Sequence, residues 1–331
     1  MMNKKHMFKK PYTSLTADVK RLGEISHGFS INGAPLAIYV TNVYDFWRKG
    51  YDGNGVIVGV IDDGVDKTHP ALLHCPDKSK KILGEFTYVT GGRVATKKPE
   101  HGTAVAGLIS GWQDAGYKGM APGSKIYSFN VFDTDGEADS NDIVTAVHKA
   151  IELGCHVINM SLGSTQPSDR LKNVVKRAWN FNIPCICAAG NEGPDTVLYP
   201  AAYPECISVG SVKYNYTNGT IIESSFSSTN PEVDCCAVGE NVLVLDATTK
   251  KYMVDHGTSF STPIVSGFVV LLRQYLINKN LHVLTVDKIK NVLYSNTLDL
   301  FTIGRDNRSG VGLVFRRGIK DSPITVKTFG S

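Results

Sequence analysis

The chain reads as an α/β fold: a mostly parallel central sheet with helices on both faces. Three observations predict it. Short, fully apolar runs recur through the first two thirds, as expected of strands covered on both sides. Segments with apolar residues at helical spacing separate them. The 32 glycines among 331 residues suit the many tight turns of such a fold, and 42% hydrophobic with 20% charged residues is an ordinary globular balance.

In chain order, turn signals at Lys10-Pro11 and Asn32-Gly33 mark an extension over residues 1–40, followed by one domain over 41–331. Residues 43–49 form a short helix carrying Phe46 and Trp47. Residues 56–61 are a doubly buried strand, and 101–110 a helix with a small-residue face. A strand follows over 125–131. Ser140 caps a helix with Ile143, Val144, Val147 and Ile151 on one side. After a strand at 156–160, Ser168 caps a helix bearing Leu171, Val174, Val175, Ala178 and Trp179. Strands at 185–189 and 206–212 come next, then short strands and hairpins. A long apolar helix spans about 259–277, with Pro263 placed in its first turn, and a last helix spans 285–294.

A net charge of +4, with scattered basic residues, excludes an extended nucleic-acid or membrane-binding surface. No segment reads as a signal-peptide core or a bilayer span, which places the chain in the cytoplasm. Seven cysteines without regular spacing are expected as small core residues; neither Cys185-Ile-Cys187 nor Cys235-Cys236 has zinc-ligand spacing.

Three distant segments carry chemistry. Asp62 ends a buried strand, His101 opens a helix beside Gly102 and Thr103, and Ser259 opens another beside Gly257 and Thr258. A serine hydroxyl is a weak nucleophile until a base takes its proton, and the base needs a carboxylate to hold its tautomer. A helix start also favours developing negative charge. Each residue alone has an ordinary structural explanation: a strand-end acid, a helix-start histidine, a helix-capping serine. Together, in the order Asp, His, Ser, they point to nucleophilic acyl transfer.

On these motifs the chain resembles the subtilisin-like serine proteases, the intracellular subtilisins above all. The carrying segments are Val60-Ile-Asp62-Asp-Gly-Val-Asp66, His101-Gly-Thr-Ala-Val-Ala-Gly107 and Gly257-Thr-Ser259-Phe-Ser-Thr-Pro263, with Asn159-Met-Ser161-Leu-Gly163 and Ala188-Ala-Gly-Asn191-Glu-Gly193. The likeness runs from about residue 40 to 315. It implies a three-layer subtilisin-like fold and a serine endopeptidase with Asp62, His101 and Ser259 as triad and Asn191 in the oxyanion hole. Substrate would lie as an added strand between Asp135-Gly136-Glu137 and Ser161-Leu162-Gly163. Ala188, Ala189, Gly190 and Glu192 would bound the pocket for the residue before the cleaved bond (P1). Leu198 would lie near its base, where many relatives have glycine, making the pocket shallower.

Asp63 repeats an acid found after the catalytic aspartate in kexin- and furin-like relatives. With Asp133, Asp135 and Glu137 it suggests Lys or Arg at P2 and P4. No cofactor is required. Ala71 stands where relatives place a calcium-binding aspartate, and the following loop, Gly111-Trp-Gln-Asp114-Ala-Gly-Tyr117, is short, so the usual calcium site is expected to be lost. Lys10-Pro11-Tyr12 matches the place of a cleft-blocking motif in intracellular relatives, which implies restraint by residues 1 to about 25; an unstructured tail is the plainer alternative. The expected partner is a peptide or protein substrate, and relatives also form homodimers. The rival to catalysis is a silent pseudoprotease that binds peptides, or a scaffold using the same groove.

Overall fold

The computed structural model describes residues 7–9, 30–31, 34–90, 98–114, 116–215, 218–281 and 284–316. Its strands and helices, in order, open with β1 (Met7–Lys9), β2 (Ser30–Ile31), β3 (Ala34–Pro35), α1 (Leu36–Tyr39) and α2 (Tyr44–Arg48). Then come β4 (Ile57–Asp62), β5 (Ile82–Thr87), α3 (Glu100–Ser110), β6 (Trp112–Gln113), β7 (Tyr117–Lys118) and β8 (Lys125–Asn130). β9 (Glu137–Asp139), α4 (Ser140–Glu152), β10 (Val157–Met160), α5 (Asp169–Asn180) and β11 (Cys185–Ala188) follow. The remainder comprises β12 (Cys206–Tyr214), β13 (Ile221–Glu223), β14 (Cys235–Val238), β15 (Val242–Asp246), β16 (Lys251–Asp255), α6 (Thr258–Asn278), α7 (Val286–Ser295), β17 (Thr297–Leu298) and β18 (Leu313–Val314).

Seven strands, in the order β14-β12-β11-β10-β4-β8-β5, pair in parallel and form the body of the central sheet. The chain passes from β4 to β8 on one side, then crosses to β10 on the other. The strand order therefore reverses at β4, and a crevice opens beyond the carboxyl ends of β4, β10 and β11.

Side-chain alternation builds two cores. Val58, Val60, Val157, Ile186, Ile207 and Val209 face α3 and α6. Ile61, Ile158, Met160, Cys185, Cys187 and Cys206 face α4 and α5. All seven cysteines are buried and free, as their apolar settings imply. Packing on the α3/α6 side already includes Ala34, Ala37, Ile38 and Val40, a few residues ahead of the expected domain start at 41.

Several local expectations need correction. The α4 cap is Asp139, whose carboxylate accepts from Asn141 N; Ser140 is the first helical residue. Both residue types cap well, and the end of β9 decides between them. β5 lies in the central sheet although no strand was expected there, and β14 is a parallel member of that sheet rather than part of a hairpin. Helix α6 is long and apolar enough to cross a membrane, contrary to expectation, but 78% of its apolar window is buried inside the fold.

Pro263 lies in the second turn of α6, not the first. A proline there removes the N–H that would serve the carbonyl four residues back, that of Ser259. Ser161 Oγ takes its place and donates to Ser259 O at 3.0 Å.

Candidate active site

Asp62 stands at the carboxyl end of β4, fully buried. Its Oδ1 accepts from His101 Nδ1 at 2.7 Å and from Asp63 N at 2.8 Å. Its Oδ2 is buried with no hydrogen-bond partner among the described residues. The carboxylate is thus desolvated and directed at the imidazole. It can only accept, so His101 carries its proton on Nδ1 and presents Nε2 as the base.

His101 is the second residue of α3 and is 4% exposed. Gly102 beside it has no room for a side chain: a Cβ there would collide with Gly64 O and press on Asp62 Cβ. That collision accounts for the glycine of the His-Gly-Thr motif. Asp63 caps this helix start, with Oδ1 accepting from Gly102 N at 2.7 Å and Oδ2 from His101 N at 3.3 Å. No local signal could reveal this, since the cap and the helix are 38 residues apart.

Ser259 is the second residue of α6, buried, at the amino end where main-chain amides converge. Gly257, before it, has φ +144°, a conformation that only glycine adopts without strain. Helices α3 and α6 pack together, and the His101 ring lies 5.7 Å from that of Phe260, next to the serine. Ser259 Oγ donates to Ser161 O over a long 3.4 Å. Ser161 is in turn braced: Asn159 Nδ2 donates to its Oγ at 3.0 Å, and Ser266 Oγ donates to Asn159 Oδ1 at 2.8 Å.

Asn191 Oδ1 accepts from Thr258 N and Thr258 Oγ, each at 2.9 Å. Because one donor is a main-chain amide, the oxygen must face Thr258, and the Nδ2 donors are turned away from it. Thr258, which reasoning from sequence treated only as a small neighbour, therefore orients this amide.

The other expected residues fall on two walls. Ser161, Leu162 and Gly163 continue from β10 and are buried; Ala188 ends β11, with Ala189 and Gly190 following, also buried. Leu198 reaches between these walls. Glu192 curls back, its Oε2 accepting from Asn191 N at 2.7 Å and from Ser228 Oγ at 3.3 Å. Asp135, Gly136 and Glu137 form the opposite edge, a turn held by Asp133: its Oδ1 accepts from Asp135 N and Glu137 N. Strand β1 pairs antiparallel with β9 there, with Lys9 opposite Glu137, Phe8 opposite Ala138 and Met7 opposite Asp139. Lys10-Pro11-Tyr12 lies outside the described residues.

Residues 53–312 match the model of the subtilase family. The chain is 35% identical over 256 residues to the major intracellular serine protease of Bacillus subtilis, covering 74% of this chain and 76% of that protein. It is 37% identical over 231 residues to a subtilisin of Bacillus pumilus, covering 68% and 78%. A thermostable alkaline protease of Halalkalibacterium halodurans is 34% identical over 240 residues; the match spans 72% of this chain and 62% of that relative. The chain belongs to the subtilase family, the subtilisin-like serine endopeptidases.

Proposed function

We propose that the chain cleaves peptide bonds through an acyl-enzyme formed on Ser259. The observation carrying this reading is the buried 2.7 Å pair of Asp62 and His101 beside the helix start that bears Ser259. A peptide lies along the groove as an added strand. His101 Nε2 takes the proton as Ser259 Oγ attacks the carbonyl carbon, and Asp62 stabilises the imidazolium that results. The weak contact of Ser259 Oγ to Ser161 O gives way at little cost. The tetrahedral oxyanion receives Asn191 Nδ2 and the Ser259 amide. Collapse returns the proton from His101 to the leaving amine. Water then attacks the ester, His101 acting again as base, and the acid product leaves. Nothing in the site favours a silent binding protein: His101 is paired to Asp62, and Thr258 orients Asn191.

The reading extends to restraint. Strand β1 pairs with β9 beside the edge where substrate would add, which favours an extension that competes for the groove. The expected preference for Lys or Arg at P2 and P4 has less behind it. The carboxylates of Asp63 and Asp133 are turned to main-chain amides, which leaves Asp135 and Glu137 as the acids of that edge not committed to such a bond. The likeness to an intracellular protease of Bacillus subtilis supports a cytoplasmic setting for this chain.

Calcium is not part of the proposal. Ala71 offers a buried methyl where a carboxylate would be needed. At the end of α3, Ser110 O and Pro122 O both accept from the ammonium of Lys81, so a cation of the chain itself already holds these oxygens. Cleavage of an unfolded protein by the purified chain, lost in Ser259→Ala and in His101→Ala, tests the activity. Equal cleavage by the wild type and both variants would remove it.

A further inference from the structure

The slot beside the nucleophile is already filled. Gly163, after β10, and Gly190, after β11, stand on neighbouring walls that lead from Ser259 and Asn191. Ser259 Oγ touches Ser161 O on one wall, and Gly190 N donates to Thr258 Oγ at 3.3 Å on the other. For a peptide added as a strand along these walls, with its carbonyl at Ser259 and Asn191, the side chain of the attacked residue would point into the gap between the two glycines.

The main chain returns beneath this gap. Ser164 and Tyr199 exchange two main-chain hydrogen bonds, of 3.0 and 2.8 Å, which fixes the position of residue 198. Leu198 is 4% exposed and lies against both glycines. A Cβ built on Gly163 would stand 3.1 Å from Leu198 Cδ1 and 3.2 Å from Leu198 Cβ. One built on Gly190 would overlap Leu198 Cδ1 and would also meet Glu192 Oε2 at 2.6 Å and Ser228 Oγ at 2.8 Å. The isobutyl group thus takes the volume that a large substrate side chain would need, and the pinned main chain gives it little room to retreat. Glu192 is turned back on this wall, its Oε2 accepting from Asn191 N and Ser228 Oγ.

We propose that Leu198 sets the P1 preference of this enzyme, admitting Gly, Ala or Ser and excluding aromatic and long aliphatic side chains. The proposal rests on the peptidase reading for its meaning but not for its test. Product-type peptides ending in Ala or Phe, otherwise identical, are titrated calorimetrically into the Ser259→Ala protein, and matched fluorogenic peptides are offered to the wild type. Ala is expected to win over Phe by roughly tenfold or more in Kd and in kcat/KM. Leu198→Gly should raise the Phe series relative to the Ala series by roughly tenfold or more. Failure to discriminate between the two peptides, or a ratio unchanged in Leu198→Gly, overturns the proposal. Discrimination in binding with no cleavage by the wild type would instead refute the peptidase reading and leave the slot assignment standing.

Discussion

Replacing Ser161 with alanine should unsettle the nucleophile's helix, and restoring a missing amide elsewhere should repair part of the damage. Pro263 cannot donate to Ser259 O, so that buried carbonyl depends on Ser161 Oγ at 3.0 Å. The same hydroxyl accepts from Asn159 Nδ2, itself fully buried. Ser161→Ala strands one acceptor and one donor. A buried group left without its partner costs about 1–3 kcal/mol. With partial relaxation the variant should lose about 2–4 kcal/mol of stability. Pro263→Ala supplies the intrahelical N–H that Ser259 O lacks. Alone it should be neutral or cost up to about 1 kcal/mol, since the carbonyl is already served and the unfolded chain gains freedom. Added to Ser161→Ala it should recover about 1–2 kcal/mol. Urea unfolding followed by circular dichroism, with all proteins in a Ser259→Ala background to suppress self-cleavage, closes the cycle. The reasoning is refuted if Pro263→Ala has the same effect with and without Ser161, within about 0.3–0.5 kcal/mol.

Three other outcomes follow from the same structure. Burial lowers Lys81 from 10.5 to about 8. The unfolded chain then holds more protons between about pH 8 and 10.5, so stability should rise with pH across that window, by at most about 3 kcal/mol; the rise attributable to Lys81 should vanish in Lys81→Met, as read from unfolding at pH 7.5 and 10. A chelator should leave Tm within about 2 °C, the shift expected for well under 1 kcal/mol, whereas a large drop would mean that calcium is bound after all. Deleting residues 1–25 should raise kcat/KM on peptides, and an unchanged value would dismiss restraint by β1.

Legibility from sequence followed how local each cause was. The strands β4, β10, β11 and β12 are short apolar runs with both faces covered, and such runs announce themselves. Helix α5 was equally clear, with Ser168 accepting from Leu171 N at its start. Strand β5 was not, because it forms the sheet edge and carries the exposed Glu85, ion-paired to Lys67. Asp62, His101, Ser259 and Asn191 stood out because each sits among small residues that the site demands, as the collision at Gly102 and the φ of Gly257 illustrate. What stayed hidden depends on distant pairings. Asp63 caps a helix that begins far along the chain, Thr258 orients Asn191 from 67 residues away, and Ser161 stands in for the amide that Pro263 lacks. Leu198 was visible as a larger residue at the pocket base; only its contacts with Gly163 and Gly190 reveal how completely it fills the space.

The central claim is that one serine, served by the buried Asp62–His101 pair, forms the covalent bond to substrate. Treating the intact chain with a fluorophosphonate and mapping the adduct by mass spectrometry addresses it directly. The account predicts a single modification on Ser259, abolished in His101→Ala. An adduct on another residue, or labelling of Ser259 that persists undiminished without the imidazole, would contradict it.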